Sequence, residues 1–300
     1  MYYKKLKYHL VHKYSSIFFG GGVKDSGYVS LQFEVLMGYR PNLDNPRTFA
    51  EKLQWLKLHD RKEVYSQMVD KVGAKEFIAE RVGREHTIPT IAVFDKVSDI
   101  DFDILPERFI IKTTHDSGTF FICRDKQNFD VENVKRVLRR RLHRKYYYEE
   151  REWPYKNVKP RIIVEELLNK DGEELHDYKF YCFNGEPKIF YITSDKGGSL
   201  PTRQDFFDVE GNHLDIEDIH YTNNPVKCPK LPSDLKKMLS MAKAIAKGTS
   251  HLRVDFYEVS DKIYVGELTF YEAGGYCTFK PDKWNYILGD WIRLPIDKTQ

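Results

Sequence analysis

Two acidic side chains, Asp255 in Arg253-Val254-Asp255 and Glu267 in Glu267-Leu268-Thr269, are spaced to do chemistry together. They lie in two runs, residues 251–259 and 262–270, that read as neighbouring strands, with Ser260, Asp261 and Lys262 as the turn. A turn centred on Asp261 sets Asp255 opposite Glu267 and Arg253 opposite Thr269. Side chains alternate along a strand, so all four then share one face. Opposed residues on an antiparallel pair have Cβ atoms roughly 4.5–5.5 Å apart. Carboxylates that close repel unless a proton or a cation sits between them. Oxygen donors without sulfur, and with little histidine, suit magnesium. The plainer alternative is a solvated face with a surface salt bridge from Arg253, and a one-residue slip of register would produce it.

Other residues are candidates for holding an anion. Lys112 ends a strand that runs into Thr113-Thr114-His115-Asp116-Ser117-Gly118-Thr119 and then a second strand. Such a loop can lay backbone N–H groups over phosphates, and Lys112 adds a point charge; a plain hairpin loop with a surface lysine is the alternative. Lys71 sits near the start of a helix, where a cation gains nothing from the helix dipole. Glu165 and Glu166 lie in an apolar strand, so one of them points inward and needs a donor. An adenine amino group, ribose hydroxyls or a structural cation would each serve. Asp177 and Lys179 share a face by alternation, either as a surface ion pair or as part of a nucleotide pocket.

These residues need elements to position them. Thr48 and Glu51 form a capping box ahead of a helix with Phe49, Leu53, Leu56 and Leu58 on its apolar side. A second helix is predicted over 67–81, ended by Gly83. Strands are predicted at 90–94, 108–113 and 120–124, then a basic helix over 131–147 and a buried strand at 161–168. Residues 178–183 and 188–193 make a hairpin across Asn184-Gly185. A short strand at 206–209 and a helix over 235–247 precede the Asp255/Glu267 hairpin. Antiparallel pairs with intervening helices indicate an α+β fold.

Composition narrows the function classes. The 300 residues are 31% charged and 41% hydrophobic, as in ordinary globular chains. The net charge of +3 gives no global argument for nucleic acid. Cys123, Cys182, Cys228 and Cys277 are scattered without a C-x-x-C, which suggests neither zinc nor a disulfide framework and points to a reducing compartment. No apolar run reaches membrane-spanning length. Residues 1–20 are basic and amphipathic and lack a signal-peptide core; they can rest on an anionic membrane surface or pack on their own domain.

Taken together, the stretches NPRTFAEKLQWLKLHDR, VDKVGAKEFI, RFIIKTTHDSGTFFIC, REWPYKNVKPRIIVEELL, DYKFYCFNGEPKIF and RVDFYEVSDKIYVGELTFYEAGG resemble the ATP-grasp ligases. More narrowly they resemble the TupA-like branch, associated with teichuronopeptide and other surface-polysaccharide synthesis. The resemblance implies an ATP-grasp fold, two α+β subdomains sandwiching ATP. An N-terminal helical extension would cover 1–62 and the ATP-grasp domain 63–300, with a lid subdomain at about 87–159 and a metal-binding subdomain at about 160–300. It implies that Lys71 and Lys112 grip ATP phosphates and that Ser117, Gly118 and Thr119 close over them. Glu165 and Glu166 would contact adenine and ribose, with Asp177 and Lys179 at the nucleotide edge. Asp255 and Glu267, with Thr269, would bind Mg2+, and Arg253 would steady the transferred phosphoryl group. The implied reaction is carboxylate–amine ligation through an acyl phosphate, joining an amino acid or amine to a uronic acid, a surface glycan or its anionic precursor. It would run in the cytoplasm, at the inner face of the membrane if residues 1–20 bind there. Two departures stand out: Thr269 occupies a position where many ATP-grasp enzymes carry asparagine, and the phosphate loop has one glycine.

Rival readings are a metal-dependent glycosyltransferase using Asp101-Phe102-Asp103, a binding module using the basic and aromatic run 139–148, and a nucleotide-binding homologue that does not ligate.

Overall fold

The computed structural model describes residues 6, 9–13, 22, 24–168, 177–194, 201–224 and 228–295. Residues 1–20, read as either resting on a membrane surface or packing on their own domain, lie mostly outside them. The chain forms two compact units, Met1–Arg61 with Leu175–Gln300, and Lys62–Glu174. No described helix is long and apolar enough to cross a membrane.

The Lys62–Glu174 unit is built on strands β1 (Thr90–Phe94), β2 (Phe109–Thr113), β3 (Phe120–Cys123) and β4 (Ile162–Glu166), in the antiparallel order β1-β4-β2-β3. Alternation gives this sheet two chemically different faces. Phe109, Ile111, Ile162 and Val164 join Val134 and Leu138 in the core, because the helix Val131–Leu142 presents that i, i+4 pair to the sheet. The opposite face carries Lys112, paired across the strands with Ile163 and Phe120, and Glu165, paired with Ile110. The basic helix predicted over 131–147 ends at Leu142. There the last turn tightens to i→i+3 bonds, from His143 N–H to Arg140 (3.3 Å) and from Arg144 N–H to Arg141 (2.9 Å).

The helix predicted over 67–81 is two helices, Glu63–Val69 and Gly73–Val82. Asp70 is the reason. Its carboxylate accepts from the Val72 and Gly73 N–H groups at 3.4 and 3.3 Å, opening a new helix, and from Arg161 at 2.5 Å.

The other unit contains β5 (Asp177–Phe183), β6 (Glu186–Ser194), β7 (Arg203–Asp208), β9 (His251–Val259) and β10 (Lys262–Thr269) in the order β10-β9-β5-β6-β7, with β8 (Glu217–Asp218) and β11 (Phe279–Lys280) as a small separate ribbon. The β5–β6 turn is Asn184-Gly185, with φ of 53° and 84°, the left-handed pair that a two-residue hairpin turn requires. One face of this sheet is apolar. Phe180 stacks on Phe190 at 4.8 Å, and the helix Leu235–Ala246 packs there, with Cys182 Sγ 3.9 Å from the Ala242 carbonyl. The other face carries Asp177, Lys179, Tyr181, Arg253 and Asp255. At one end it is covered by the helix Phe49–His59, whose predicted capping box is present. Phe49 lies 5.1 Å from the His251 ring and 5.9 Å from Tyr181.

His251 is buried among Phe49, Tyr181 and Phe183. Burial, helped by the nearby Arg253 charge, pushes its imidazole from 6.5 down to about 3. A depressed folded-state pKa means that the stabilising effect of the neutral ring is complete above about pH 6.5. It is lost as pH falls towards 3, by up to about 1.4 kcal/mol per pH unit. We expect His251→Phe, which keeps the aromatic packing, to flatten the stability profile between pH 6.5 and 5 in urea unfolding. Parallel profiles for the two proteins would refute a buried neutral imidazole.

Candidate active site

In the Lys62–Glu174 unit, Glu165 is buried and bridges two cations. Its Oε1 lies 2.5 Å from Lys75 Nζ and its Oε2 lies 2.5 Å from Lys112 Nζ. Burial pushes this carboxyl up, but the two lysines outweigh it and hold the pKa below the ordinary glutamate value. The Lys75 ammonium moves down, because burial outweighs the attraction of Glu165. Glu166, the next residue, faces solvent, and its N–H donates to the Pro89 carbonyl at 3.1 Å.

The loop after β2 is tied down from within. Asp116 is fully buried and accepts hydrogen bonds from the Thr113 hydroxyl, from the Thr119 hydroxyl at 2.9 Å and from Arg144 Nη1 at 3.3 Å. Arg144 also donates to the Ser117 carbonyl at 3.0 Å and pairs with Glu149 at 2.7 Å. Lys71 reaches the same loop, its Nζ donating to the Asp116 carbonyl at 2.6 Å. Only the tip is exposed, Ser117 with Gly118, the latter at φ 82°. Lys71, Lys112 and the loop residues are therefore brought together in one unit.

In the other unit, strand pairing places Lys179 opposite Asp255 and Asp255 opposite Glu267, in one row across β5, β9 and β10. The next row holds Tyr181, Arg253 and Thr269. The expected pairs Asp255–Glu267 and Arg253–Thr269 are present, but by a different route. The turn is two residues, Ser260 and Asp261 at φ 49° and 63°, which alone would pair Glu267 with Val254. A bulge at Gly266, between Val265 and Glu267, restores the register. A Cβ at Gly266 would fall 2.3 Å from the Tyr257 ring, so any larger residue there would have to displace that ring.

Asp255 is buried and held by Arg253, at 2.6 Å to Nε and 2.7 Å to Nη2, and by Lys179. Burial pushes its carboxyl up, and Arg253 with Lys179 brings it below the ordinary aspartate value. Lys179 also lies 3.2 Å from Asp177. Arg253 Nη2 lies 3.7 Å from Glu267, and Nη1 pairs with Glu272, which accepts the Tyr191 hydroxyl at 3.3 Å. Among the described residues no group of three or more His, Cys, Asp or Glu side chains is arranged to hold a metal. The donors in this row are carboxylate oxygens, the type magnesium takes, and both oxygens of Asp255 already accept from Arg253 or Lys179. Three carboxylates (Asp255, Glu267 and Glu272) meet two cations (Lys179 and Arg253), with Asp177 beside Lys179. Glu267 is the half-exposed member, its side chain 45% accessible.

A family model described as TupA-like ATPgrasp matches residues 51–293. The chain belongs to the TupA-like ATP-grasp family. Among solved structures it is similar to D-alanine–D-alanine ligase from Bacillus anthracis complexed with ATP, at 17% identity and a TM-score of 0.40 over 68% of this chain and 55% of that one. It is also similar to D-alanine–D-alanine ligase from Helicobacter pylori, at 13% identity and a TM-score of 0.44 over 82% and 69% of the two chains. A third likeness is to the ATP-grasp ligase PsnB complexed with a phosphomimetic variant of its minimal precursor, Mg and ADP, at 10% identity and a TM-score of 0.43 over 80% and 62%. The chain thus spans little more than half the length of the first of these. No match was found among curated proteins.

Within this ATP-grasp chain, sequence reasoning passed over Lys75, Asp116 and Glu272. Lys75 was legible by the same reasoning as Lys71, since it is a lysine in the first turn of a helix, where the dipole disfavours it. Asp116 stands three residues from both Thr113 and Thr119, the spacing of hydroxyl donors to a shared carboxylate. Glu272 had no strand signal because it follows β10. The rival D-x-D is a turn: Asp101 accepts the Asp103 N–H at 3.0 Å, and Phe102 is a core residue.

Removing one partner from a buried ion pair costs about 3–5 kcal/mol. Glu165→Gln leaves Lys75 and Lys112 facing each other without a counter-charge. We expect a loss of that order in urea unfolding at pH 7, whereas Glu166→Gln should change stability by less than about 0.5 kcal/mol.

Proposed function

We propose that the protein is an ATP-dependent carboxylate–amine ligase. It activates an acid as its acyl phosphate and passes the acyl group to an amine, forming an amide. The observation that carries this reading is the in-register row Lys179, Asp255 and Glu267 beside Arg253, in a chain of the ATP-grasp family.

The acid's carboxylate oxygen attacks the γ-phosphorus of ATP, the bond to the bridging oxygen breaks, and ADP departs. The amine then adds to the acyl carbonyl, phosphate leaves and the amine loses a proton. No protein nucleophile is needed. Bound magnesium would neutralise phosphate charge, held by Asp255 and Glu267 with Thr269 beside them. Arg253 presents a guanidinium fixed by Asp255 and Glu272, suited to steadying the transferred phosphoryl group. Lys71 and Lys112 grip phosphates, and Lys75 shares the Glu165 counter-charge with Lys112 so that both ammoniums stay close. Ser117 and Gly118 form the exposed tip that would cover the nucleotide and exclude water, which would hydrolyse an acyl phosphate, and Thr119 anchors that tip to Asp116. Glu166 is the exposed candidate for ribose, and Asp177 and Lys179 line the carboxylate-rich face.

The TupA-like resemblance supports a uronic acid or amino acid as the acid and an amine on a surface polysaccharide or its anionic precursor as acceptor. The test is ATP-dependent phosphate release with panels of acids and amines, with the amide identified by mass spectrometry. Lys112→Ala and Glu267→Gln should each lower turnover by about 100-fold or more, the scale of losing one charge-stabilising group, with circular dichroism unchanged. Ligation retained in either variant would overturn the assignment.

A further inference from the structure

The buried polar residues of the helix Phe49–His59 have no place in the chemistry above. Lys57 and Gln54 are both fully buried. Burying an ammonium is unfavourable unless it is well hydrogen-bonded, so its partner is informative. Lys57 Nζ donates to the Gly274 carbonyl at 2.6 Å and lies 4.8 Å from the Tyr276 ring. Gln54 Nε2 donates to the carbonyls of Gly274 at 3.2 Å and Gly275 at 2.8 Å. Both side chains thus hold the backbone of the segment that follows β10.

That segment needs holding. Ala273, Gly274 and Gly275 are all left-handed, at φ 44°, 65° and 77°, and Ala273 is a strained non-glycine position of the kind that persists only when its surroundings fix it. The approach is close, since a Cβ at Gly275 would fall 2.5 Å from Gln54 Nε2. Immediately before the left-handed residues stands Glu272, which pairs with Arg253 Nη1 and accepts the Tyr191 hydroxyl. Arg253 in turn grips Asp255.

We propose that Lys57 and Gln54 are positioning residues for Arg253. They fix the 271–276 segment, the segment fixes Glu272, and Glu272 aims the guanidinium across the row that contains Asp255 and Glu267. The catalytic consequence rests on the ligase reading; the mechanical coupling does not. Glu272 takes one edge of the guanidinium and Asp255 the other, so a shift of Glu272 rotates Arg253 rather than releasing it. The effect belongs in turnover rather than in nucleotide binding, because the proposed function gives the grip on ATP to Lys71 and Lys112 and gives Arg253 the phosphoryl group in transfer.

The experiment compares wild type with Lys57→Met, Gln54→Met, Glu272→Gln and the double variant Lys57→Met/Glu272→Gln. Folding is checked by circular dichroism and thermal unfolding. The first readout is the NMR resonance of the Arg253 Nε–H group. It should shift in Lys57→Met and Gln54→Met, and Lys57→Arg should restore it towards wild type. The second readout is ATP-dependent turnover. Each single variant should lose at least tenfold in kcat with the KM for ATP within about twofold, and the double variant should be no worse than Glu272→Gln alone, the non-additivity expected of groups acting through one another. An unmoved Arg253 resonance in folded Lys57→Met or Gln54→Met overturns the proposal, as does a double variant whose loss is the product of the single losses. Wild-type protein inactive with every acid and amine would overturn the ligase reading, and the resonance would still decide the coupling.

Discussion

A buried carboxylate gripped from two sides organises the larger unit. Asp255 lies in the middle of a sheet, held by Arg253 and Lys179, on a face where an ordinary domain would place apolar side chains. Desolvating such ions costs several kcal/mol each, and replacing a buried charge cluster with apolar side chains is often neutral or stabilising. A charged sheet face is therefore poor material for a core. The opposite face shows what the same strands do when only packing is at stake: Phe180, Phe190 and Phe207 stack in succession beneath the helix Leu235–Ala246. The asymmetry between the two faces is why the proposed function is placed on the polar one.

Much of this was legible in the chain, because sheet alternation and turn chemistry are local. The Asn184-Gly185 hairpin, the Thr48/Glu51 capping box and the opposition of Asp255 to Glu267 all follow from residues within a few positions of one another. The register of the last hairpin was reached through compensation: a turn one residue shorter than expected is offset by a one-residue bulge at Gly266. A glycine inside an otherwise regular strand was the available sign. The helix break at Asp70 escaped because apolar spacing runs on through it. What stops the helix is a side chain that bonds its own backbone and also Arg161, which is distant in sequence.

The residues that escaped share a physical cause. Lys75, Asp116 and Glu272 gain their charged partners from other elements: Lys75 from β4, Asp116 from Arg144 beyond the basic helix, and Glu272 from β9. Nothing near them in the chain declares those partners. The basic run itself is the clearest case. As a sequence feature it suggested a binding surface, and nothing near Arg144 in the chain indicates that this one member reaches Asp116 and Ser117, while Arg139, Arg140 and Lys145 are exposed.

The two units are charged in opposite senses around a comparable motif. In Lys62–Glu174 one buried glutamate is shared by two lysines, Lys75 and Lys112, which leaves a local positive surplus. In the larger unit Lys179 and Arg253 are shared by Asp255, Glu267 and Glu272, which leaves a local negative surplus. Neither surplus helps its own unit fold, since self-repulsion destabilises a compact state. Under the proposed function the first would face a polyphosphate and the second a divalent cation, each of the opposite sign. A protein selected for stability alone would have neutralised both clusters from within, so an excess of lysine in one and of carboxylate in the other is an argument for ligands of that kind and against a purely structural role.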